Sequence, residues 1–170
     1  MNITIERAKP ADTAAMLAYL KQVGGETDNL TFGAEGLPFT VEAEAEYIAS
    51  MENSCDNVML VAKINGEIVG VAGLSRLPRR MSHRGDLDVT VVKEHWNQGI
   101  GRKLLSEIIG FAEENDFKVI DLQVRSDNLA AIHLYEKFGF RKIGSHPAFF
   151  KPKDSYVAAD YMILELKDLL

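Results

Sequence analysis

The chain has 170 residues, 46% of them hydrophobic, with a net charge of −6 and a pI near 5.2. That is enough apolar chain for one sizeable core, so a single domain over residues 1–170 is expected. The acidic balance argues against a nucleic-acid partner held by a general positive field and suits a cationic substrate. No run is apolar enough to span a bilayer, MNITIERAKP carries no signal-peptide pattern, and the lone Cys55 excludes an internal disulfide. A cytoplasmic setting without a membrane partner is the expectation.

Ile3 and Ile5, followed by Arg7-Ala8-Lys9, read as a first strand, and Pro10-Ala11-Asp12 opens a helix carried by Ala15, Met16, Tyr19 and Leu20. Residues 24–40, GGETDNLTFGAEGLPFT, are rich in Gly, Asn, Asp and Pro and predict an irregular loop. A connection of that length favours a lid or a pocket wall. Val41–Met51 reads as a second helix capped by Thr40. Asn57–Ile64 and Glu67–Leu74 flank Asn65-Gly66, the signature of a type I′ hairpin. Arg76 to Arg84 form a basic loop.

The stretch from Asp86 to Leu105 is the centre of the chain. Leu87, Val89 and Val91 alternate with Asp86, Asp88 and Thr90 as in a strand, and the run then turns through Lys93–Gln98 into Gly99-Ile100-Gly101. Leu104, Leu105, Ile108 and Ile109 continue at helical spacing to about Asn115. Strand, glycine turn and helix build an anion cradle, because the first helical amides are unpaired and glycine lets a ligand approach them. Arg102 and Lys103 oppose the helix dipole unless an anion lies between, so a phosphorylated ligand is expected. A Walker A loop is excluded, since Gly101 is followed by Arg102-Lys103-Leu104; a dinucleotide fingerprint is excluded by Leu104 in place of its third glycine. Downstream, Val119–Val124 reads as a strand and Asn128 opens a helix that Gly139 ends. Strands near Phe140–Ile143 and Val157–Leu166 close the chain, separated by a loop over Ser145–Ser155.

Two segments carry a resemblance. Trp96-Asn97-Gln98-Gly99-Ile100-Gly101 resembles the acyl-CoA loop R/Q-x-x-G-x-G/A of the GCN5-related N-acetyltransferases, with Trp96 where that family has Arg or Gln and Lys93 where it often has Pro. Val124 to Phe140, VRSDNLAAIHLYEKFGF, resembles the family's second motif, V-x-x-x-N-x-x-A-x-x-L-Y-x-x-x-G-F, at the expected distance downstream. The resemblance covers about Asn57 to Ile143. It implies the α/β (α+β) acetyltransferase fold: a mixed sheet of about seven strands flanked by about four helices, with the fourth and fifth strands splayed to admit pantetheine.

The same resemblance implies an acetyl-CoA-dependent N-acetyltransferase that moves an acetyl group to a primary amine by direct attack in a ternary complex. Acetyl-CoA is the implied cosubstrate, and no metal is expected, because the four histidines show no ligand spacing. The backbone of Val89 to Val91 would bind the pantetheine amides, and Trp96, Asn97, Gln98, Gly99, Ile100, Gly101, Arg102 and Lys103 would hold the pyrophosphate. Tyr135 matches the acid that protonates the departing sulfur; its alternative is a buried structural phenol. Asn128 would bond the pantetheine arm or simply cap its helix. Asp86 and Asp88 share one strand face and are the candidate bases, or else solvated charges or binders of a substrate cation. A non-catalytic acyl-CoA-binding module is the alternative function. The amine acceptor is not readable; residues 24–40, 76–84 and 145–156 are expected to select it. Homodimers are common among relatives, with the C-terminal strand as the expected contact.

Overall fold

The computed structural model describes residues 2–167 and 169. Its elements run β1 (Ile3–Arg7), α1 (Thr13–Glu26), α2 (Val41–Met51), β2 (Asn57–Ile64), β3 (Glu67–Arg76), β4 (Arg84–Val91), α3 (Ile100–Glu114), β5 (Val119–Arg125), α4 (Leu129–Lys137), β6 (Arg141–Phe150) and β7 (Val157–Glu165). The strands form one seven-stranded sheet in the order β1-β2-β3-β4-β5-β7-β6. All neighbours pair antiparallel except β4 and β5, which run parallel. The β2–β3 hairpin turns at Asn65 and Gly66 with φ of 52° and 85°, the left-handed pair that a type I′ turn demands.

Strand alternation sorts the helices onto two faces. Val91 faces α3 and α4: a Cβ on Gly101 would sit 3.9 Å from Val91 Cγ2 and 3.4 Å from Leu134 Cδ2. Thr90, one residue away, points to the other face and hydrogen-bonds the hydroxyl of Tyr19 on α1 at 2.9 Å. On the first face α3 buries Ile100, Leu104, Leu105, Ile108, Phe111 and Ala112. Each large side chain so buried contributes about 1.5–3 kcal/mol. Gly70 on β3 lets that helix settle close, because a Cβ there would lie 3.0 Å from both Ile100 and Leu104. On the second face α1 brings Met16, Tyr19 and Val23 into the core, and α2 brings Ile48 and Met51.

Three sequence expectations change. The loop predicted from Gly24 starts at Thr27, because α1 continues through Gly24-Gly25 to Glu26. Gly24 serves close packing rather than helix termination: a Cβ there would fall 2.0 Å from the Gly33 carbonyl oxygen. The loop predicted over Ser145–Ser155 is mostly strand, since β6 pairs with β7 as far as Phe150↔Val157 through register irregularities that the spacing could not reveal. The basic loop also shrinks, and both of its end residues are engaged. Arg76 bonds Asp56 at 2.7 Å and the Ser82 and Asn115 carbonyls, over the Phe117 ring at 3.8 Å, while Arg84 pairs with Asp121.

Candidate active site

The parallel pairing of β4 with β5 covers only Arg84–Asp86 against Val119–Asp121, although β4 runs on to Val91 and β5 to Arg125. Beyond Asp86 the two strands diverge and leave an opening in the sheet. Val92 N–H donates to Val69 O on β3. Alternation therefore turns the main-chain groups of Val91 and Val89 the other way, toward the opening. A cleft of about 470 Å³ follows it, and Val89, Thr90, Val91, Gly99, Gly101 and Tyr135 are among its lining residues.

At the mouth of the cleft the chain reverses through Asn97 and Gly99, with φ of 60° and 81°. Gly99 caps α3 from the left-handed region, and nothing lies within 4 Å of where its Cβ would be. Open space in front of unpaired helix amides is what a diphosphate requires. Trp96, Asn97, Ile100 and Arg102 also line the cleft; Gln98 and Lys103 do not. Gln98 instead braces the turn, its side chain meeting His95 Nδ1 at 3.1 Å and donating to the Glu94 carbonyl. The indole of Trp96 donates to the Val91 carbonyl at 2.8 Å. That bond occupies one of the two oxygens expected to receive pantetheine and leaves the main chain of Val89 and the N–H of Val91.

The opposite wall is α4. Asn128 caps it, its side-chain oxygen accepting from Ala131 N at 3.3 Å, so the capping alternative holds for that oxygen while the residue still lines the cleft. Tyr135 lies on the inner side of α4, 8% exposed, its ring 5.6 Å from that of Phe140. Burial first, and the Asp88 carboxylate second, push its phenol up to about 12. It therefore stays protonated at neutral pH.

Asp86 and Asp88 share the α1-side face of β4. Asp88 fits over Gly73, where a Cβ would meet its Oδ1 at 2.6 Å. Both side chains are exposed at the surface, Asp88 where it leans over Gly73. Desolvation, with the neighbouring Asp86 charge second, pushes Asp88 up to about 7. Asp86 is also raised, by burial first, although a hydrogen bond from Gln123 on β5 opposes this. Neither carboxylate lines the main cleft, although Thr90, on the same face of β4, does. Sequence reasoning did not find Tyr19 or Gln123, because each meets this face only through packing of distant segments.

A mixed sheet parted between two parallel strands, with a glycine turn at the mouth and a tyrosine-bearing helix opposite, defines an acyl-CoA acyltransferase fold. Comparison with known proteins agrees: residues 29–140 match the Acetyltransferase (GNAT) family, and the chain belongs to that family. A GNAT-family acetyltransferase from Streptococcus pneumoniae superposes with a TM-score of 0.94 at 30% identity, over 97% of this chain and 100% of that one. The N-alpha-acetyltransferase RimI of Mycobacterium tuberculosis is 36% identical over 91 residues, which is 53% of this chain and 56% of that protein's length. A protein from Salmonella typhimurium solved with its cofactor acetyl-CoA shares the fold, with a TM-score of 0.86 at 23% identity, over 100% of this chain and 97% of that one.

Proposed function

We propose that the protein transfers an acetyl group from acetyl-CoA to a primary amine by direct attack in a ternary complex, with α-amines of peptides or amino acids as the acceptor class. The observation that carries this reading is the sheet opening, which puts the glycine turn, the free main chain of Val89 and the phenol of Tyr135 on one cleft. The unpaired amides of Ile100, Gly101 and Arg102 suit the pyrophosphate, and the edge of β4 suits the pantetheine amides. Bound acetyl-CoA would supply the activated thioester carbonyl. The N–C bond forms as the C–S bond breaks, so one proton must leave the amine and one must reach sulfur.

Asp88 is our candidate for the first transfer, directly or through water. With an affinity near 7 it is better matched to an α-ammonium, ordinarily at about 7.7–8.0, than to a lysine side chain at about 10.4. That match, together with the similarity to the mycobacterial N-alpha-acetyltransferase, favours α-amines. Tyr135 is our candidate donor to the leaving sulfur, and the N–H of Val89 or Val91 our candidate donor to the carbonyl oxygen. The test is free-thiol release from acetyl-CoA against a panel of amino acids, amino-terminal peptides, lysine-side-chain analogues and diamines, wild type beside Tyr135→Phe. The reading expects turnover with α-amines and its loss in the variant. Tight CoA binding without turnover of any amine would favour the non-catalytic module.

A further inference from the structure

The segment between α1 and α2 forms one wall of the cleft through Thr27, Asn29 and Leu30. Its first end is held where Glu26 accepts from Lys93 N at 2.7 Å, and its last where Thr40 caps α2. Between them, residues 27–39 bond mainly to themselves: Asn29 N to Thr27 Oγ1, Gly33 N to Glu35 Oε1, and Gly36 N to Gly33 O. Among the described residues, a single hydrogen bond ties residues 27–39 to the sheet. Arg125, the last residue of β5, donates from Nη1 to the Asp28 carbonyl at 3.2 Å. The same guanidinium is gripped from behind by Asp127, Nε to Oδ1 at 2.6 Å and Nη2 to Oδ2 at 3.1 Å. Asp127 directly precedes Asn128, the cap of the helix that carries Tyr135.

The wall held this way matters to two cavities. Thr27, Asn29 and Leu30 line the main cleft, while Thr27, Asp28 and Leu30 also line a second cavity of about 320 Å³ closed on its far side by Phe149 to Pro152. Leu30 and Phe32 pack against the core, which keeps the segment near the sheet. Apolar packing has no directional preference, so it does not by itself set the distance between wall and opening. A bidentate arginine does, because its planar fork fixes the donors to both partners at once.

We propose that Arg125 is a positioning residue for the amine acceptor: braced by Asp127, it holds the Asp28 carbonyl, fixes the wall between the two cavities, and so sets acceptor affinity without touching CoA. This rests on the acetyl-transfer reading above, and its test separates the two. Arg125→Gln removes the charge and the fork; Arg125→Lys keeps the charge and one donor. The first measurement needs no acceptor: amide hydrogen exchange over residues 27–36, with CoA affinity by calorimetry. Exchange should quicken by about tenfold in Arg125→Gln and less in Arg125→Lys, with CoA affinity within about twofold of wild type.

The second measurement is steady-state acetylation of an alanine-initiated peptide and of free alanine. KM for the amine should rise by about tenfold in Arg125→Gln, with partial rescue in Arg125→Lys and with kcat and KM for acetyl-CoA within about twofold. Unchanged exchange over residues 27–36, or equal rises in KM for amine and acetyl-CoA, would overturn the proposal. Should the wild type acetylate neither amine, nor any in the wider panel, faster exchange in the variant would leave the tie standing and overturn its role in acceptor affinity.

Discussion

Asp88→Asn is the substitution that most directly probes how this site moves protons. The carboxylate lies over Gly73 on the same strand face as Asp86, and its affinity is pushed up to about 7. If it removes the amine proton, wild-type kcat/KM rises with pH through about 7, with about one tenth of the plateau rate at pH 6. The amine's own titration adds a second limb, and two acceptors of different basicity separate them: the Asp88 limb stays in place while the other follows the amine. Asp86→Asn should move the first limb downward, because the Asp86 charge is the second cause of the rise. Asp88→Asn should cut kcat by about 10²–10⁴-fold and abolish that limb. Stability supplies an independent check on its sign. A carboxylate raised in the folded state stabilises the fold below its ordinary value of 3.8 and loses that contribution as pH climbs through about 7. Asp88→Asn should therefore raise the melting temperature at about pH 8 but not at about pH 4. A wild-type profile without an inflection near 7, or an unchanged inflection in Asp88→Asn, would refute the reasoning.

Tyr135→Phe keeps the ring against Phe140 and removes only the hydroxyl, so kcat should fall by about 10²-fold or more while CoA affinity, read by calorimetry, changes by less than about twofold. Gly99→Val forces a β-branched residue to φ of 81° and fills the open space before the helix amides; CoA binding should weaken by at least about 100-fold, again by calorimetry. Trp96→Phe removes the indole N–H that ties the glycine turn to the end of β4 at the Val91 carbonyl, and the loosened turn should raise KM for acetyl-CoA by about three- to tenfold in the thiol-release assay.

Local patterns carried most of the architecture. The alternation of Asp86–Val91, the glycines at 99 and 101 and the apolar spacing of Leu104, Leu105 and Ile108 each act within a few residues, and the structure builds β4, its turn and α3 from them. What failed was governed by distance. Gly24 and Gly25 read as a break, but their use is to admit Gly33 and Ala34 from the next segment, a contact no local rule expresses. Phe149 and Phe150 lie within β6 because β7 pairs alongside, whereas their own neighbours Ser145, His146 and Pro147 read as loop. In the site, the order of residues pointed to groups that line the cleft, such as Gly99, Gly101 and Tyr135, but also to Gln98, Lys103, Asp86 and Asp88, which do not, and it did not show how any of them is engaged. The Trp96 indole closing the Val91 carbonyl, Gln98 folded back on Glu94 and Asn128 spent on capping are all tertiary or rotameric outcomes. The raised affinity of Asp88 likewise comes from the protein around it rather than from its place in the strand.

The central claim is that the opening between β4 and β5 threads a CoA thioester from the glycine turn to Tyr135. A crystal structure with bound CoA tests it most directly. The account predicts pyrophosphate oxygens on the amides of Gly99 to Arg102, pantetheine along Val89, and sulfur within hydrogen-bonding reach of the Tyr135 phenol. Diphosphate bound elsewhere, or sulfur on the far side of β4 from that phenol, would contradict it.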